Sequence, residues 1–101
     1  MSQLIPQNIL QTLPDLYATS GDLDPMCHVK LFTPDSNWTW YVIEFSQENN
    51  DTLYTYVQGL ENELGYSSLS EIESVRGSLN LPAERDLSFK PTPLSQIKKV
   101  A

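Results

Sequence analysis

Two residue types that carry much of metal and nucleophile chemistry are almost missing from this chain. Among its 101 residues Cys27 is the single cysteine and His28 the single histidine. One cysteine excludes an internal disulfide, and one cysteine with one histidine gives no basis for a structural Cys/His zinc site. Long hydrophobic runs are missing too. No apolar stretch reaches the roughly 18–20 residues of a membrane helix, and the opening Met1-Ser2-Gln3-Leu4-Ile5-Pro6 has neither the basic start nor the apolar stretch of a signal peptide. The expectation is a cytoplasmic protein with no membrane association. There is also no G-x-S-x-G elbow, phosphate loop or dinucleotide glycine fingerprint. Hydrolase and nucleotide readings lose their main supports, and no cofactor is expected.

Positive charge is the next scarcity, with six Lys and Arg against thirteen Asp and Glu. Residues 1–50 carry six acids and only Lys30, and residues 51–86 carry seven acids against Arg76 and Arg85, so the first 86 residues sum to −10. The last fifteen are purely basic and contribute +3 through Lys90, Lys98 and Lys99. Such a body repels phosphate and anionic lipid, so direct nucleic-acid binding is disfavoured. The acidity suits ordinary solubility, and its sharper reading is a set of carboxylates presented to a basic surface on another protein.

What is present is enough apolar material, 40% of residues, for one core, and the whole chain, 1–101, reads as a single domain. Ile9, Leu10 and Leu13 predict a short helix over residues 6–13, opened by Pro6 and stopped by Pro14. Pro14-Asp15-Leu16-Tyr17 reads as a turn that pins Leu16 and Tyr17 on the core, and residues 19–25 as a loop. Strands follow over residues 28–32, 38–45 and 52–60. The second is the strongest: Trp38, Trp40, Val42 and Glu44 alternate with Thr39, Tyr41, Ile43 and Phe45, which predicts a central strand covered on both faces. Short connections make the three an antiparallel meander. Residues 61–66 read as a loop. Ser68 and Glu71 have capping-box spacing ahead of a helix over residues 69–76, with Gly77 as its left-handed stop. Residues 86–89 alternate like a strand, and Thr92 and Pro93 are placed to open a last helix.

Few side chains are arranged for chemistry. Cys27 and His28 are strand neighbours and point apart, so they form no catalytic pair. Asp35 and Glu44 have the order of a metal-dependent nuclease site, with Ser46 where such a site wants a lysine. Glu44 otherwise shares a face with the tryptophans, and the favoured reading is a structural ion pair with a cation such as Arg85. Glu61, Glu63 and Tyr66 concentrate charge and an aromatic before the capped helix. Glu84-Arg85-Asp86 forms a charged node. Trp38, Trp40, Tyr54, Tyr56 and Tyr66 could stack on bases, but Lys30 is the sole cation in the first 75 residues, so core packing is their default role.

The segments Phe32-Thr33-Pro34-Asp35-Ser36-Asn37-Trp38-Thr39-Trp40-Tyr41, Glu44-Phe45, Glu63-Leu64-Gly65-Tyr66 with Ser68-Leu69-Ser70-Glu71, and Glu84-Arg85-Asp86-Leu87 with Phe89 occur in that order. Together they resemble the bacterial family catalogued as domain of unknown function 2958, over residues 13–94. Where the family pattern has a second glycine-rich apolar segment, this chain has Thr55-Tyr56-Val57-Gln58-Gly59. The resemblance implies a small bacterial protein of plasmids and other mobile elements, found beside DNA-processing and antirestriction genes. Some members are labelled single-stranded DNA endonucleases. No catalytic residues come with it.

The fold expected is α+β: a small antiparallel sheet of three or four strands packed with a central helix and short terminal helices. The function expected is non-enzymatic binding of a basic or nucleic-acid-processing protein partner. The binding residues are Glu44, Glu61, Glu63, Tyr66, Glu84 and Arg85, with no catalytic residue and no metal. The alternative is a metal-dependent nuclease using Asp35 and Glu44. A homodimer through the open sheet edge is a further option.

Overall fold

The computed structural model describes residues 4–100. In chain order these form α1 (Gln7–Leu10), β1 (Met26–Cys27), β2 (Val29–Phe32), β3 (Thr39–Phe45), β4 (Thr52–Gln58), β5 (Asn62–Ser68), α2 (Leu69–Ser74), β6 (Glu84–Arg85), β7 (Thr92–Pro93) and α3 (Leu94–Val100). Five strands make one antiparallel sheet in the order β5-β4-β3-β2-β6, and β1 pairs with β7 in a separate two-stranded ladder. The protein is therefore mostly β. The expected α+β arrangement of three or four strands around a central helix is not what forms, because α2 is only six residues long and ends in extended backbone at Val75.

The sheet has a covered face on each side. On one, Val29, Leu31, Trp40, Val42, Phe45 and Leu53 pack beneath Ile5, Leu10, Leu13, Leu69 and Ile72, forming the larger core. On the other, Tyr41, Ile43 and Tyr56 pack beneath Cys27, Leu94 and Ile97. Each fully buried aliphatic or aromatic side chain contributes about 1.5–3 kcal/mol. This confirms β3 as the central strand, buried at every position from Trp40 to Phe45.

The strands missing from the sequence reading are either two residues long, as β1, β6 and β7 are, or have little to bury. β5 is an edge strand, largely exposed along its length. Its hold on the sheet is the seven-residue ladder to β4, from Thr52–Ser68 to Gln58–Asn62, a backbone interaction that leaves little trace in side-chain pattern. Residues 86–89 form a turn in place of the expected strand: Asp86 accepts from Ser88 N–H at 2.9 Å and its carbonyl from Phe89 N–H at 3.3 Å. Thr92 and Pro93 belong to β7, and the start of α3 is held by Asp24, which accepts from Ser95 N–H at 2.8 Å and Ser95 Oγ at 2.7 Å.

Both termini of α2 show how distant residues complete local signals. Ser68 Oγ accepts from Glu71 N–H at 3.3 Å as its spacing predicts, and Asp51 adds a second cap, accepting from Ser70 N–H at 2.9 Å and Ser68 Oγ at 2.6 Å. At the other end Gly77 is not left-handed; no described glycine has a positive φ. It is needed because a Cβ there would collide with the Asp35 carboxylate. Asp35 Oδ2 accepts from Leu79 and Leu81 N–H at 2.7 and 3.2 Å, which binds the β2–β3 loop to residues 77–82.

Two outcomes follow for stability. Gly77→Ala should cost about 1–3 kcal/mol by overpacking, whereas Gly65→Ala, with nothing near its Cβ, should change little; urea unfolding of both variants measures this. The Asp51 carboxyl is held below its ordinary 3.8 first by the Ser68 hydroxyl and, against opposing desolvation, by Ser70. A depressed folded value means stability that is present above about pH 4 and is lost as pH falls through the folded value. Asp51→Asn should therefore flatten the acid limb of the unfolding midpoint against pH.

Candidate functional site

β3 has seven residues and its neighbour β2 only four, so the end of β3 outruns β2. Residues 14–19 fill that gap. Phe45 N–H donates to the Pro14 carbonyl at 2.8 Å, which brings Tyr17 and Thr19 over β3. In the same stretch the β3–β4 register slips between Val42 and Glu44, leaving Ile43 as an extra residue. This bulge moves Glu44 off the tryptophan face expected from alternation and onto the tyrosine face, and it moves Phe45 the other way, into the larger core.

Glu44 is 2% exposed. Its Oε1 accepts from Tyr17 N–H at 2.8 Å, and its Oε2 from Thr19 N–H at 2.8 Å and Thr19 Oγ1 at 2.5 Å. All three partners donate, the pattern suited to an ionised carboxylate. Among the described residues no cation forms an ion pair with it; the pair that does form is Lys30–Asp86, at 3.9 Å. Arg85 cannot serve. It sits opposite Leu31, on the larger-core face, and its Nε donates to the Leu4 carbonyl at 3.2 Å. The expected Glu44–Arg85 pair is thus replaced by backbone and hydroxyl donors from a loop.

Glu44 lies opposite Tyr54 on β4, and Tyr54 opposite Tyr66 on β5, so the three form one row across the sheet. Tyr54 and Tyr66 rings are 5.2 Å apart, and Tyr17 meets Tyr66 edge-on at 6.3 Å. These side chains with Asp22, Leu64, Leu94 and Lys98 line a cavity of about 300 Å³. Tyr17 and Tyr66 are 66% and 56% exposed, so Tyr17 is not pinned on the core as its turn suggested. It is also left-handed, at φ 70°, an unfavourable conformation for a bulky residue. Desolvation, then Tyr17 and the Glu44 charge, keep the Tyr66 phenol above its ordinary 10; it is neutral at physiological pH. Aromatic faces over a carboxylate are the chemistry for holding a cation, with each ring face contributing about 0.5–2 kcal/mol.

The other expected binding residues lie elsewhere. Glu63 faces Val57 on the larger-core side, and with Glu61, Leu60 and Trp38 it borders a shallow groove. Trp38 stacks on Trp40 at 6.1 Å and lies so close to Gly59 that a Cβ there would clash. Glu84 is exposed on the β6 edge, opposite Phe32. Tyr66 is the one expected residue that Glu44 meets. Asp35 does not approach it: Asp35 sits in the loop before β3 and Glu44 near the strand's far end, with about 15 Å of extended chain between them, and Asp35 is engaged by residues 77–82. No group of three His, Cys, Asp or Glu among the described residues could hold a metal. The nuclease arrangement on Asp35 and Glu44 is not assembled. Tyr17 was missed as a site residue because only the unpaired end of β3 brings its loop there.

Cys27 is buried, and desolvation, then the charge of Asp24, push its thiol up to about 12. It is no nucleophile near neutral pH. No described helix is long and apolar enough to cross a membrane.

The fold is β-rich, and on one face of its sheet Tyr17, Tyr54 and Tyr66 form an aromatic cup over the buried Glu44 carboxylate. The protein's family is shown by the model for the protein of unknown function DUF2958, which matches residues 4–101; the chain belongs to that family. No curated protein and no solved structure matches it.

Glu44→Gln should turn an amide donor toward donors and cost about 1–3 kcal/mol, read by urea unfolding. Cys27 should stay unmodified by a thiol reagent at pH 8 in the folded protein and react fully in denaturant; rapid labelling of the native form would contradict its burial.

Proposed function

We propose that the protein is a non-enzymatic binding protein that docks to a basic surface on another protein, as an accessory to nucleic-acid-processing partners of bacterial mobile elements. The observation that carries this is the uncompensated acid on its surface. The first 86 residues sum to −10, and Glu61, Glu63 and Glu84 are exposed with no ion-pair partner among the described residues. At the β4–β5 end Glu61 and Glu63 adjoin exposed apolar groups, Leu60 at 94% and Trp38 at 38%. Charge there speeds encounter, and apolar contact retains the partner. The separation of Asp35 from Glu44 and the protonated Cys27 thiol speak against the hydrolytic alternative.

A twelve-residue peptide carrying six lysines serves as a defined basic probe. Calorimetry should show binding that weakens steeply between 50 and 200 mM salt, and Glu61→Lys with Glu63→Lys should weaken it about 3- to 10-fold. Affinity unaltered by salt and by both reversals would reject the acidic-surface reading.

A further inference from the structure

The tyrosine face of the sheet already holds ammonium groups of its own chain. Lys30 Nζ lies 5.9 Å from the centre of the Tyr41 ring, and Lys98 Nζ lies 5.6 Å from that of Tyr56. Tyr41 and Tyr56 are cross-strand partners, so this rung of the sheet is occupied at both rings. The next rung is Glu44, Tyr54 and Tyr66, covered from the side by Tyr17. Among the described residues no cation lies over its rings, and yet it alone has a buried carboxylate beneath it. The rung best furnished for a cation is the one the chain does not fill.

We propose that this cup receives the side-chain ammonium of a lysine on the partner protein. The inference rests on the basic-partner reading above and names the group recognised. Three features favour a single lysine. The cavity, about 300 Å³, accommodates one side-chain head and not a folded segment. Carboxylate oxygens offer about four acceptor positions together, and three of Glu44's are taken. One remains, enough for a single N–H of an ammonium and too few for the two-pronged grip of a guanidinium. The precedents on the same face are both lysines.

Surroundings set the cup's limits. Asp22 on the rim adds negative charge, and Lys98, which also lines the cavity, is drawn aside over Tyr56. Leu64 and Leu94 flank the rings and suit the methylene stem that carries the ammonium. Glu63 lies on the opposite side of β5 and Glu61 borders the same groove with it; both act on encounter only.

The test uses the full chain and three blocked tripeptides, Gly-Lys-Gly, Gly-Arg-Gly and Gly-norleucine-Gly, followed by amide NMR. The lysine peptide should shift the Tyr17 and Thr19 amides, which report on Glu44 directly. The norleucine peptide should not, and the arginine peptide should bind at least about threefold more weakly. Tyr66→Leu should weaken lysine binding about fivefold or more, with Tyr66→Phe restoring it, since the ring face and not the hydroxyl is required. Tyr66 is exposed, so both variants should fold, as their amide spectra will show. Lysine shifts confined to residues 60–63, equal or better binding of arginine, or indifference to Tyr66→Leu would overturn the cup while leaving the acidic-surface reading intact. If the six-lysine peptide also fails to bind, both fall together.

Discussion

Val42 and Phe45 must both face the larger core, yet they are three residues apart, and regular strand alternation sends residues at odd separation to opposite sides. The extra residue at Ile43 resolves this. It lets Val42 and Phe45 share the core face and leaves Ile43 buried on the other. Without it Glu44 would enter the larger core beside Val42 and Leu53, where an unpartnered carboxylate is strongly unfavourable, and Phe45 would be driven out to the other face. Hydrophobic sorting at three positions thus fixes the bulge, and the bulge fixes the only place Glu44 can go.

From that placement the rest of the site follows. A buried carboxylate requires donors, and because β2 stops short, the sheet offers none at that point. Residues 14–19 supply them through two amides and a hydroxyl, and the winding that aims the Tyr17 and Thr19 amides at one carboxylate puts Tyr17 into a left-handed conformation. A bulky residue held there has a local cost of about 1–3 kcal/mol. The Glu44 hydrogen bonds offset it, and the result is an exposed aromatic standing edge-on to Tyr66.

How much of this was legible depends on whether the signal was local. The meander of β2, β3 and β4 was readable from β-branched and aromatic alternation, and the Ser68–Glu71 cap from a spacing of three. β5 was not, since its residues bury little and its pairing is backbone to backbone. Glu44 stood out as an acid in the most apolar strand, but its face could not be read: a bulge without glycine leaves no mark at its own position, and only the later register of Phe45 with Leu53 reveals it. Tyr66 was visible as an aromatic beside acids. Tyr17 reads as an ordinary turn residue until the shortfall of β2 is known.

The charge asymmetry also changes meaning once folded. Along the chain, three lysines after residue 86 look like a detached basic tail. In space α3 is docked through Leu94 and Ile97, and Lys98 lies over Tyr56, so part of the positive end is folded back on an aromatic face of the acidic body. That arrangement shows what the face selects. A polar, strongly hydrated ammonium accepts a ring face only where negative potential repays part of its lost hydration, and here Asp86 serves Lys30 and Asp24 lies within the field of Lys98. Lys30 and Lys98 have taken the rung of Tyr41 and Tyr56, where Asp86 also pairs with Lys30 at 3.9 Å. The rung of Tyr54 and Tyr66 differs in its negative group, a buried Glu44 carboxylate held by loop donors in place of a lysine, and among the described residues no cation lies over its rings.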